Sequence, residues 1–245
     1  MRERPVAAVP APLIWVLAAI LCGQLGLKAL EPRPVARAAD LPPAPPGITL
    51  KLLDLGEPIG VAQLLSLYLQ AFDTQPGVSI PFKDLDYARI QDWLDRVLEL
   101  DPQGQYPMLM GSQVYSQVPD TARQRMILEW TYRRFLGDPE RRWRWMAHAA
   151  IMAKHRLDDL PLALRYAQEL SRHASGASVP HWAKQMHIFL LEDMGEIETA
   201  KVLLGGLLAS GSITDSHEAH FLTERLNALQ KSAEKSSKPS ESQLR

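Results

Sequence analysis

Five consecutive residues, Arg141-Arg142-Trp143-Arg144-Trp145, carry the most distinctive chemistry of the chain. Guanidinium forks take phosphate or carboxylate oxygens two at a time, and indole rings stack on planar or cationic groups. Arg141, Arg142, Trp143 and Arg144 are therefore candidates for holding an anionic polymer, glycan or lipid headgroup. Between Thr121 and Arg156 nine Lys or Arg residues oppose three acids, in a chain whose net charge is −1. Any recognition by charge is local, and the whole chain has no general attraction to nucleic acid. The bland account of the same run is a solvated arginine row on a helical surface.

Other reactive groups are sparse. His217 and His220 stand three apart, near Asp215 and Glu218, a spacing that can place two imidazoles on one helix face. No third ligand follows by spacing, and no His-Glu-x-x-His pattern occurs. Phosphate-binding loops and the G-x-S-x-G nucleophile turn are also absent. The single cysteine, Cys22, lies in an apolar N-terminal run, so the rest of the chain has no thiol for a disulfide, a zinc site or nucleophilic attack. The expectation is a protein that is not an enzyme and has neither cofactor nor metal.

Helices must position these residues. At the centre, Asp138 to Leu170 reads as a helical hairpin, with Asp138 as a cap, Pro139 in the first helical position and a corner at Leu157-Asp158-Asp159. Leu160, Ala163, Leu164, Ala167, Leu170, Ser171 and Ala174 then fall on one stripe. Helical patterning runs from Gly56 to Gln230. Val61, Leu64, Leu65, Tyr68 and Phe72 form the first stripe, and Ile90, Leu94 and Val97 form the next after a start near Asp84. Further helices are expected over about 105–118, 120–136, 179–194, 196–210 and 215–230, the last with Asp215 and Glu218 at capping-box spacing.

Around this domain of residues 56–230 lie four simpler segments. Residues 1–12 precede the apolar run Leu13 to Leu30, which is about as long as a helix needs to cross a bilayer. A membrane anchor, a secretory signal and a buried core helix compete for this run, and the anchor fits its place and flanks. Residues 31–55 follow. Their first part, Glu31 to Gly47, has six prolines and reads as an extended tether reaching about 50 Å. The polar, serine-rich residues 231–245 read as a disordered tail.

The helical hairpins invite comparison with one another. HRLDDLPLALRYAQEL from His155 aligns with EDMGEIETAKVLLGGLL from Glu192, placing Ala163 over Ala200, and VLELDPQ from Val97 repeats the closing piece. These features resemble tetratricopeptide repeats, in degenerate copies that depart from that family's 34-residue spacing. The resemblance implies an all-α solenoid whose first helices line a groove for a protein or peptide partner. Carried over by the Ala163 alignment, the groove positions are Trp145, His148, Met152 and His155, then Trp182, Gln185, Phe189 and Glu192. The residues alone place the first four on one helix face, and both tryptophans fit equally well as core.

The resulting expectation is an all-α, helical-hairpin solenoid with an N-terminal transmembrane helix, in the cell envelope of a bacterium. It is single-pass in the inner membrane through residues 13–30, has its domain in the periplasm, and acts as a scaffold for a protein or peptide partner. The alternative is a binder of anionic polymer or lipid through the Arg/Trp run.

Overall fold

A computed structural model describes residues 10–30, 38–211, 213 and 215–237. The extreme N-terminus, residues 31–37 of the expected tether and residues 238–245 of the expected tail lie outside the described residues. Among the described residues the fold is all-α, with eleven α-helices and one hairpin of two-residue strands, Thr74–Gln75 and Val78–Ser79.

The chain divides into two units. The first holds α1, Ala11–Leu30, whose residues Ala11–Lys28 are long and apolar enough to cross a membrane and share the composition of a signal sequence. Twenty residues at 1.5 Å each give about 30 Å, the thickness of a bilayer's hydrocarbon core.

The second unit begins at Ala39. Gln75 clasps Ala39, accepting from its N–H at 2.9 Å and donating to its carbonyl at 3.0 Å. The Leu41 carbonyl accepts from Arg89, and the Pro42 carbonyl accepts from Trp93 Nε1 at 2.9 Å. Leu41 and the helix α2, Gly47–Leu53, through Leu50, are buried. The expected tether is therefore docked from Ala39 onward, because Leu41 and Pro42 lend carbonyls and Leu41 and Leu50 lend apolar surface to the domain.

In α3, Pro58–Ala71, the buried residues are Ala62, Ser66 and Leu69. Leu64 is 66% exposed and Tyr68 44% exposed, which corrects the stripe read from the sequence. The helix is apolar all round, so periodicity did not mark which side is covered.

Capping explains the next elements. Asp86 opens α4, Tyr87–Leu100, by accepting from the N–H groups of Ala88 and Arg89, and Ile90, Trp93, Leu94 and Val97 are buried beneath it. Asp101-Pro102 ends it. The single helix expected over 105–118 is instead three short pieces: α5, Tyr106–Leu109, a π-helical turn, Met110–Val114, and a 3-10 turn, Tyr115–Gln117. Val118 precedes a proline and takes up the extended backbone that position favours. Gly111 explains the widened turn, because a Cβ there would lie 2.5 Å from the Trp130 ring of α6, Thr121–Gly137. Gly111→Ala is expected to destabilise the fold by about 1–3 kcal/mol through overpacking, read as a lower midpoint in urea at unchanged slope.

The central hairpin is α7, Pro139–His155, and α8, Leu160–His173. Asp138 does not cap α7 with its side chain. Its carboxylate instead takes Arg141 Nε at 2.9 Å. The corner turns at Asp158, φ 51°, and Asp159 caps α8 by accepting from the Leu162 N–H at 2.9 Å. Then come α9, His181–Asp193, α10, Ile197–Ala209, and α11, Ser216–Ser237. Ala163 and Ala200 are each the fourth residue of their helix and fully buried. Asp215 caps α11 by accepting from His217 and Glu218 N–H groups, but Glu218 bonds Gln185 rather than completing a capping box. The helix also continues through Lys231 to Ser237, past the start of the expected tail.

From α3 onward successive helices pack on one another, with α5 joined to α6 through the π-helical and 3-10 turns, and α4 with α6, α5 with α7 and α7 with α9 also meet. One apolar core joins α6 to α9 around Leu128, Phe135, Met146 and Tyr166, and another joins α9 to α11 around Ile188, Leu204 and Leu222.

Candidate functional site

Two rows of helices carry regular cross-links. In the row α4–α6–α8, carboxylates of one helix hold donors of the next. Asp95 accepts from Trp130 Nε1 at 2.7 Å and from Arg134 at 2.5 Å. Glu129 accepts from the Tyr166 hydroxyl at 2.9 Å and pairs with Arg165. Burial, with the charge of Glu129, drives the Tyr166 pKa far above its ordinary value, so it remains a phenol that donates. These side chains are committed to holding helices together.

The row α7–α9–α11 is different. Lys154 pairs with Asp193 at 2.5 Å, Gln185 donates to Glu218 at 2.8 Å, and Arg225 pairs with Glu192 at 2.5 Å. Between these polar ties stand aromatic pairs. Trp143 meets Trp182 edge-on at 5.7 Å, and Phe189 meets Phe221 at 6.3 Å. Trp182 is 51% and Phe221 56% exposed. A pocket of about 130 Å³ between α7 and α9 is lined by Ile151, Lys154, His155, Met186, Phe189 and Asp193. It has an apolar floor with an ammonium and a carboxylate at its rim, suited to a small apolar side chain flanked by polar backbone.

The residues expected to line a groove divide accordingly. His155, Phe189 and Trp182 reach the surface of this row, His155 and Phe189 in the same pocket. Trp145, Met152 and Gln185 are buried, and Trp145 donates from Nε1 to Gln105 at 2.6 Å, so these three support the row from beneath. Glu192 is tied to Arg225. His148 is half-buried, its Nε2 has no hydrogen-bond partner, and burial lowers its pKa, keeping it neutral near pH 7.

Ile151, Met186 and Phe221 belong to the same surface and are absent from the sequence candidates, and Trp143, an anionic-ligand candidate in the sequence, belongs to it as well. A signal for Phe221 existed. Glu218, Phe221 and Arg225 lie 33, 32 and 33 residues beyond Gln185, Phe189 and Glu192, which are the side chains they meet.

The basic run is largely spent on structure. Arg142 is 7% exposed and donates to the carbonyls of Arg134, at 2.5 Å, and Pro102, at 2.9 Å. Arg141 is held by Asp138. Arg144 alone of the three is exposed with no carboxylate partner among the described residues, and it lies over the Trp143 ring at 5.4 Å. Arg125, Arg134 and Lys154 pair with Asp159, Asp95 and Asp193, acids that all lie outside the stretch in which the positive excess was counted. His217 and His220 are exposed, and among the described residues no three His, Cys, Asp or Glu side chains are grouped to hold a metal.

Comparison of the chain with protein-family models, with curated proteins and with solved structures gives no match in any of the three.

Proposed function

We propose that this protein is a membrane-anchored helical-repeat scaffold of a bacterial cell envelope, without enzymatic activity, that holds a protein or peptide partner along the α7–α9–α11 row. The observation that carries the reading is the half-exposure of Trp182 and Phe221, each resting on an aromatic ring of the preceding helix in the row. Large rings fixed in place yet open to solvent lose little conformational freedom on binding and supply much contact area. The row's ties, 39 residues apart between α7 and α9 and 32–33 apart between α9 and α11, and the matched burial of Ala163 and Ala200, favour a stack of helical hairpins resembling tetratricopeptide repeats of unequal length. In this reading α1 anchors the chain in the inner membrane with the domain in the periplasm. Confinement to a surface then raises the effective concentration of the bound partner there.

The anionic-ligand reading now rests on Arg144, with Arg141 and Arg142 engaged elsewhere, and is the weaker of the two. Crosslinked pull-down from membranes tests both, using the full-length chain, a Trp182→Ala/Phe221→Ala variant and an Arg144→Ser variant. A protein retained by the wild type and by Arg144→Ser, and reduced at least about tenfold by the double variant, supports the scaffold. Retention of anionic lipid or glycan alone, lost with Arg144 and at raised ionic strength, contradicts it.

A further inference from the structure

The densest run of exposed apolar side chains in the folded unit lies on α2 and α3, outside this row. Among the described residues outside α1, eight of the seventeen exposed large apolar side chains fall between Ile48 and Tyr68. Ile48 and Leu52 of α2 are 73% and 75% exposed, Leu64 and Leu67 of α3 66% and 58%. Leu55, at the corner between the two helices, is 91% exposed. It also holds left-handed backbone, φ 47°, ahead of Gly56 at φ 90°, a conformation that disfavours leucine and favours Gly or Asn. A strained, fully exposed leucine at a turn tip, continuous with apolar faces on both sides, marks a surface that meets something apolar.

We infer that the α2–α3 corner lies on the surface of the same bilayer that α1 crosses, its exposed leucines seated at the boundary of headgroups and acyl chains. The inference rests on the proposed anchoring by α1. Three observations select lipid as the occupant. First, only residues 31–38 separate the end of α1 from the clasp at Ala39, and eight extended residues reach at most roughly 30 Å. In the anchored reading this length keeps the clasp at Gln75 within that distance of the bilayer, and the fourteen residues of α3 add about 21 Å to the corner, so the corner is within reach of the membrane surface. Second, α3 from Pro58 to Ala71 has no charged residue; Lys51, Asp54 and Glu57 are confined to α2 and the corner. The charge-free side of α3 suits acyl chains rather than the polar rim of a protein interface, and the charges of α2 and the corner suit the headgroup level. Third, the pair cannot cross the bilayer. The helices bend by 117° at the corner, and fourteen residues of α3 span only about 21 Å. Their opposite faces are held in the domain through Leu50, Ala62 and Leu69. Lying in the interface, about 5–10 Å deep, is the geometry left to them.

Cys22, in the middle of α1 and the chain's single cysteine, makes a direct test possible. The full-length chain is reconstituted into phosphatidylethanolamine–phosphatidylglycerol vesicles. An environment-sensitive fluorophore is placed on native Cys22, or, in a Cys22→Ala background, on Leu55→Cys, Leu67→Cys or Val202→Cys, the last being 73% exposed on α10. Labels at 22, 55 and 67 are expected to be blue-shifted, quenched by nitroxide-bearing lipids and shielded from aqueous iodide, with 22 the deepest and 202 showing none of this. If 22 is in lipid while 55 and 67 behave like 202, the inference is overturned and the anchor stands. If 22 itself is in water, the anchor fails and the inference with it. Disulfide crosslinking between chains at Leu67→Cys that persists on dilution in lipid would instead assign the face to a second copy, and also overturns the proposal.

Discussion

Trp145→Ala is expected to lower the melting temperature by roughly 10 °C, whereas Trp182→Ala leaves it nearly unchanged. The Ala163 alignment pairs the two tryptophans, yet Trp145 is the seventh residue of α7 and 8% exposed, while Trp182 is the second residue of α9 and 51% exposed. Removing a buried indole costs about 3–5 kcal/mol in lost transfer energy and cavity, and about 2–4 °C per kcal/mol applies to a domain of this size. Trp145→Ala also strands Gln105 Oε1, which accepts from the indole at 2.6 Å. Trp145→Phe retains most of the volume and should recover more than half of the loss. Trp182 contacts Trp143 edge-on at 5.7 Å, worth about 0.5–1.5 kcal/mol beyond area, and water already reaches half of it. Differential scanning fluorimetry of the three variants separates the supporting indole from the displayed one.

The second large effect is expected at Arg142. Its guanidinium bridges the end of α6, at the Arg134 carbonyl, to the turn after α4, at the Pro102 carbonyl. Both bonds are charge-assisted and the side chain is 7% exposed, so Arg142→Ala is expected to cost about 3 kcal/mol by leaving two carbonyls without their donor. Arg142→Lys should rescue only part of this, because an ammonium on a flexible stem does not reproduce the two-armed fork. Arg144→Ala, two residues on, should stay within about 0.5 kcal/mol of the wild type. Denaturant midpoints of the three proteins check the assignment. Equal, small effects at 142 and 144 would return both arginines to a common surface patch.

Legibility of the fold followed local chemistry. Asp159 and Asp215 could be read as caps from spacing, and the α4 stripe of Ile90, Leu94 and Val97 from its alternation with polar residues, because one turn of helix expresses a cap and two express a stripe. Failures had a different origin. In α3 nearly every side is apolar, so the stripe through Leu64 and Tyr68 does not mark the covered side, where Ala62, Ser66 and Leu69 face inward. The π-helical turn at Gly111 depends on the Trp130 ring arriving from α6, and no local pattern encodes that approach.

The candidate site was half legible for the same reason. His155 and Phe189 both stood among the groove positions carried over by the Ala163 alignment, and the two line one pocket, although that alignment paired Phe189 with Met152. Burial of Trp145 was not visible in the sequence, since it depends on Gln105 arriving from forty residues earlier. Counting charge in a window made residues 121–156 look like an anion site, while the acids that answer Arg125, Arg134 and Lys154 come from Asp159, Asp95 and Asp193. Charge balance in a stack of helices is struck between neighbours in space, about one hairpin apart in sequence.

The scaffold reading is tested most directly by placing a photo-crosslinking amino acid at position 182, at 221, or at 202 on α10, in the full-length chain within its native membranes. The account predicts one and the same protein adduct from 182 and 221, displaced by an excess of unmodified chain and absent from 202. Adducts to lipid alone at 182 and 221, or the same pattern of adducts from all three positions, would contradict it.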